Sequence, residues 1–111
     1  MKKLDPIQAA RDAVTANPAR PATAIIHDSA DARCVVFRLE PGQQVAPHTS
    51  PSSVLLLAVE GSGTVTTADR ETPLAVGEAA MYEPRELHGM RAVAERFVVM
   101  AVITPQPGSR A

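Results

Sequence analysis

The chain has 111 residues, a formal net charge of −1, 45% hydrophobic and 21% charged residues, a balance that fits one globular domain with a core of its own. Its charges are interspersed, without a basic stripe, and Phe37, Tyr82 and Phe97 are its only aromatic residues. Little is therefore available to neutralise phosphates or stack bases, which argues against nucleic acid as a partner. The strongly apolar stretches, Val54 to Val59 and Phe97 to Ile103, are too short to span a bilayer, and Lys2-Lys3 is followed by Asp5, Pro6 and Arg11 rather than by a signal-peptide core.

No membrane partner is expected. The lone Cys34, within the apolar run Cys34-Val35-Val36-Phe37, reads as a small buried hydrophobe in a reducing, cytoplasmic location.

Residues 1–21 read as a helix and linker. Asp5 can cap the helix, Pro6 suits its first position, and Ile7, Ala10 and Val14 recur at helical spacing. The helix is expected to reach Ala16, to stop at Asn17-Pro18, and to be free to pack on a partner subunit. Residues 22–104 change to short β-rich runs: Thr23–His27, Arg33–Leu39, Gln44–His48, Val54–Glu60, Thr64–Ala68, Glu71–Leu74, Glu78–Glu83, His88–Ala92 and Phe97–Thr104. Turn residues separate them, among them Pro41-Gly42, Gly61-Ser62-Gly63 (read as a hairpin turn), Gly77 and Pro84. About eight to ten short strands with such punctuation predict an all-β antiparallel barrel or jelly roll. Residues 105–111, with Pro105, Pro107 and Gly108, read as a frayed tail. The runs Val54–Val59 and Phe97–Ile103 are apolar throughout, as in strands covered on both faces. With so little helix to provide the second cover, a homodimer is expected.

Two segments carry the candidate site. The first holds Gly42, His48, Ser50, Val54 and Gly61; the second holds Gly77, Pro84 and His88. In spacing and order they resemble the two motifs of the RmlC-like cupin superfamily, and the strand rhythm extends the resemblance over about Ala22 to Thr104. It implies a cupin-type β-barrel with a site inside it. In that family a His-x-His pair, a glutamate and a later histidine form an open cage for Fe, Mn, Ni or Zn. Here Ser50 stands at the second histidine position and Val54 at the glutamate position, and the usual glycine after the proline is absent. The resemblance thus leaves His48 and His88 as the metal-ligand candidates. Glu60 shares a face with Val54 but lies about 20 Å further along the strand. Glu86 is the carboxylate whose spacing leaves a two-histidine, one-carboxylate set open. Catalytic sites normally supply three protein ligands, so the balance falls slightly on the side of no metal.

The expected ligand-binding residues are His48, Ser50, Val54, Tyr82, His88 and Met90, around a mostly apolar pocket for a small organic molecule. The alternative is a metal-dependent enzyme, oxygenase- or isomerase-like, or a metal-free one with a histidine as general base. No catalytic residue is assigned: Ser50, Ser52 and Ser53 have no evident acid to complete a nucleophile's triad. His27, Arg38, Arg85, Glu86 and Arg91 read as surface or rim groups. Of Met81 and Tyr82, one faces inward.

Overall fold

The structure, a computed structural model, describes residues 1–109. One helix, α1 (Pro6–Asp12), is followed by seven strands: β1 (Ala22–Asp28), β2 (Arg33–Leu39), β3 (Gln44–His48), β4 (Ser53–Thr66), β5 (Glu71–Ala75), β6 (Ala79–Tyr82) and β7 (His88–Thr104). All pairings are antiparallel, and β4 and β7, of 14 and 17 residues, are shared by two halves of the sheet. The first half of β4 pairs with β6 and with the second half of β7, which also holds β2 and through it β1. The second half of β4 pairs with β5 and with the first half of β7, which also holds β3. The two halves close over a core that includes Leu39, Leu56, Val65, Met90, Phe97 and Val99. This is the cupin-type double-stranded barrel.

The nine sequence runs are therefore seven strands, because two pairs are fused. Gly61-Ser62-Gly63 is not a hairpin turn. It is the corner at which β4 bends, and the β4–β7 register shifts there twice, between Ala58 and Glu60 and between Gly61 and Gly63. Bulges of this kind let one strand serve two sheets. The glycines are needed for space: a Cβ on Gly61, whose φ is +68°, would run into the Arg96 carbonyl, and one on Gly63 into the Phe97 ring and the Arg91 carbonyl.

Helix α1 begins as expected, with the Asp5 carboxylate accepting from the Gln8 N–H at 3.0 Å, but ends at Asp12 rather than Ala16 and leaves Val14 88% exposed. It lies on its own sheet, with Ala10 buried against Val36 and Val98. Arg38, read as a surface group, is half-buried and holds the helix end: its Nη1 donates to the Ala10 carbonyl at 2.6 Å and the Ala13 carbonyl at 3.1 Å. A cation satisfies orphan carbonyls there and complements the helix dipole. Its Nε is in ion-pair contact with Glu40 at 3.3 Å, though poorly aligned for a hydrogen bond.

Alternation along β4 and β7 turns Val54, Leu56, Ala58 and Ala101 inward and Leu55, Leu57, Met100 and Val102 outward. Val59 and Met100 pack at the margin of the helix cluster. Leu55, flanked by Val102 and Met81 on the neighbouring strands, belongs to neither core cluster, and Met81 is 62% exposed.

The segment after β7 is anchored. The Ser52 hydroxyl donates to the Pro105 carbonyl at 2.6 Å, the Gln106 N–H donates to the Ala30 carbonyl at 3.2 Å, and residues 107–109 form a single helical turn. The frayed tail expected from Pro105 is thus wrong for residues 105–109; residues 110–111 lie outside the described residues. Among the described residues no helix is long and apolar enough to cross a membrane.

Candidate ligand site in the barrel

One end of the barrel opens into a cavity of about 280 Å³. His48, Ser50, Val54, His88 and Met90, five of the six residues expected to bind a ligand, line it. Tyr82 does not. Its ring sits 5.2 Å from that of His88, and its hydroxyl donates to the Thr66 carbonyl at 2.9 Å, so it supports His88 from within the core. Burial raises the pKa of that phenol. The sequence reading missed Phe37, Ile103 and Pro107, which also wall the cavity.

His48 and His88 are register partners across β3 and β7. β3 is an edge strand, which tolerates Pro47 without a ladder N–H, and the register shifts between Val45 and His48. Gly89 lets the two strands approach: a Cβ there would lie 2.9 Å from the Val45 carbonyl oxygen and 3.1 Å from the Pro47 backbone. The two imidazoles consequently face each other with centroids 4.3 Å apart and planes tilted by 58°. His88 is buried at 6% exposure, whereas His48 stands at the open mouth.

Both rings are fixed in the same way. His48 Nδ1 is 2.9 Å from the Ala46 carbonyl oxygen and His88 Nδ1 is 3.1 Å from that of Glu86. A carbonyl oxygen only accepts, so Nδ1 carries the hydrogen in each ring, and in the neutral imidazole Nε2 becomes the bare acceptor. Burial lowers the pKa of His88 below the ordinary histidine value, the facing His48 adds to this, and the Glu86 carbonyl and carboxylate oppose it.

A stability change with pH follows. A histidine held neutral in the fold stabilises it fully above the unfolded value of about 6.5. That contribution is lost as pH falls through the lower folded value. Thermal melts from neutral pH downward should show a decline beginning below about pH 6.5, and the decline should be shallower in His88→Gln.

The turn before β7 explains Glu86. Its carboxylate accepts from the Glu83 N–H at 3.0 Å, and its own N–H donates to the Glu83 carbonyl at 3.1 Å. Glu86 therefore braces the turn and orients His88 through its carbonyl; it does not complete a ligand set. Arg85 takes a φ of +68° directly after Pro84, a left-handed conformation that favours glycine, and its N–H donates to the Ser50 carbonyl at 2.7 Å.

The family's metal can be tested against these residues. Among the described residues no three His, Cys, Asp or Glu side chains come together. Where a carboxylate would be needed, Val54 is aliphatic and 3% exposed, and Ser50 is a neutral hydroxyl, a poor ligand for a divalent cation. Two imidazoles fall short of the usual three protein ligands, so the residues present do not fit a resident divalent metal.

Comparison with known proteins agrees with the barrel. The sequence pattern of the family described as the cupin domain matches residues 35–104, and the chain belongs to that family. It is similar to the TT1209 protein of Thermus thermophilus, at 27% identity and a TM-score of 0.84 over 96% of this chain and 100% of that one. It also resembles a conserved double-stranded β-helix protein from Klebsiella pneumoniae, at 23% identity and a TM-score of 0.79 over 87% of each chain. KdgF of a Halomonas species shares the fold at 19% identity and a TM-score of 0.78, over 90% of this chain and 93% of that one. The sequence matches no curated protein.

Proposed function

We propose that this chain binds a small, mainly apolar organic molecule inside its barrel, anchored by His48 and His88 and without a resident metal. The carrying observation is the cavity itself: its walls include Phe37, Val54, Leu56, Met90 and Ile103, and its two imidazoles face each other with no acidic partner among the described residues of the lining. Apolar walls with a few convergent polar groups are the usual make-up of a small-molecule site. The test is elemental analysis with native mass spectrometry on protein purified without added metal. The expected result is a metal content far below one per chain, with a small organic molecule co-purifying on the folded protein. About one metal per chain would defeat the reading.

A second reading has its own observation. Burial favours neutral His88, and Nε2 is its bare nitrogen, so it could act as a metal-free general base. That reading fails if His48→Ala and His88→Ala leave a discovered turnover unchanged.

We also infer a cytoplasmic homodimer. Leu55, Leu57, Met81 and Val102 form an uncharged outward patch beyond the reach of α1, and a two-fold pairing of such a patch with itself needs no complementary charge elsewhere. Light scattering after size exclusion should return twice the mass of the 11.7 kDa chain. Leu55→Glu, on the outward face, should return the monomer mass.

A further inference from the structure

The cavity's polar chemistry narrows what it can hold. Each imidazole offers its Nδ1 hydrogen to a backbone carbonyl, at 2.9 Å for His48 and 3.1 Å for His88. The neutral rings therefore present hydrogen-bond acceptors, not donors, to a guest. Among the described residues no lysine, arginine, aspartate or glutamate lines the cavity, so these walls offer neither a counter-charge for a carboxylate or phosphate nor one for an ammonium group. An ion placed there would give up its hydration without a partner. Ser50 adds a hydroxyl on the same wall, and its Oγ already accepts from the Ser52 N–H at 3.1 Å. That bond leaves the serine hydrogen suited to donate towards a guest oxygen.

A hydroxyl is the smallest group that both donates and accepts from one atom while carrying no charge. We propose that the site selects neutral alcohols or phenols: the guest's O–H donates to an imidazole Nε2, and its carbon body lies against Phe37, Val54, Met90 and Ile103. This rests on the ligand-binding reading above and specifies the class of ligand.

The selection follows from the accepting nitrogens. A guest of the same shape without the O–H leaves the Nε2 of buried His88 unpaired, and sites built to hydrogen-bond a substrate reject analogues that lack the group. An anion meets the lone pairs directly.

Three probes of similar body separate these cases: 4-ethylphenol, 4-ethylanisole, in which the donor is methylated, and 4-ethylbenzoate. Calorimetric titration of the full chain at about pH 8, above the ordinary histidine range, is expected to give 4-ethylphenol roughly tenfold tighter binding than 4-ethylanisole. The benzoate should bind most weakly. In His88→Phe, and in His48→Phe at the exposed mouth should the first fail to fold, the phenol-to-anisole ratio should fall towards one. A ratio is unaffected by a general loosening of the pocket. Equal affinities for all three probes in the native chain would overturn the proposal while leaving the ligand-binding reading standing, as would preference for the benzoate. Failure of folded protein to bind any of them would overturn both.

Discussion

Gly63→Ala is expected to destabilise the protein by about 3 kcal/mol, read as a lower urea midpoint at unchanged slope. Domains of this size stand only about 5–15 kcal/mol above their unfolded state, so the melting temperature should drop on the order of 15 °C. The cause is local overpacking. The new methyl meets the ring of Phe97, which is fully buried, and the Arg91 carbonyl on the facing strand. Neither can yield, because the ring fills the core between the two sheets and the carbonyl belongs to the β4–β7 ladder. Gly42→Ala is the informative control. Its φ of +87° is strained for alanine, but nothing lies near the added Cβ, so its cost should stay near the roughly 1 kcal/mol of a left-handed residue. A loss at Gly63 no larger than that at Gly42 would show that the corner accommodates the added methyl and that space is not what Gly63 provides.

Ser50→His combined with Val54→Glu should convert the cavity into a metal site. Both positions line it together with His48 and His88, so the variant would offer three imidazoles and one carboxylate to a single ion. Elemental analysis is expected to rise from near zero in the native chain to about one Zn, Ni or Mn per chain. The metal-free variant should also be less stable, by about 3 kcal/mol or more, because Val54 is buried and an unpaired carboxylate there must remain protonated or unsolvated. Added metal should reverse the loss, by about 2.7 kcal/mol at a hundredfold excess over Kd. A variant that stays folded yet takes up no metal would mean that the strands do not converge as closely as the 4.3 Å approach of the native histidine rings indicates.

Strand rhythm and motif spacing made the barrel legible, and β2 and β3 run over the same residues as their sequence runs. The two fused strands were not legible. Gly61 and Gly63 have the local signature of a turn, and only the facing carbonyls of Arg96 and Arg91 show them to be a corner. The same limit applies to the segment after β7, whose anchor Ser52 lies 53 residues before Pro105. For the site, His48, Ser50, Val54 and His88 followed from the motif resemblance, and Met90 from sharing a face with His88, since residues two apart on a strand point the same way. Tyr82 faces inward too, but its hydroxyl is claimed by Thr66, a partner no local pattern reveals. Phe37 was within reach of the alternation argument, being in phase with buried Leu39. Glu86 was read as a rim group that could also supply a third ligand; its role in bracing the turn depends on hydrogen bonds to Glu83.

The sharing of β7 between the two halves of the sheet has a consequence for how the chain is made. β7 pairs with β2, β3 and β4, yet it follows all of them in the chain. Until residues 88–104 emerge, β2 and β3 lack the neighbour that joins them to the rest, and no set of earlier strands can close the core around Phe97. Closure of the barrel must therefore wait for residues 88–104, with the slow, non-local pairing typical of high contact order. During that wait, the apolar run from Val54 to Val59 is exposed to other nascent chains.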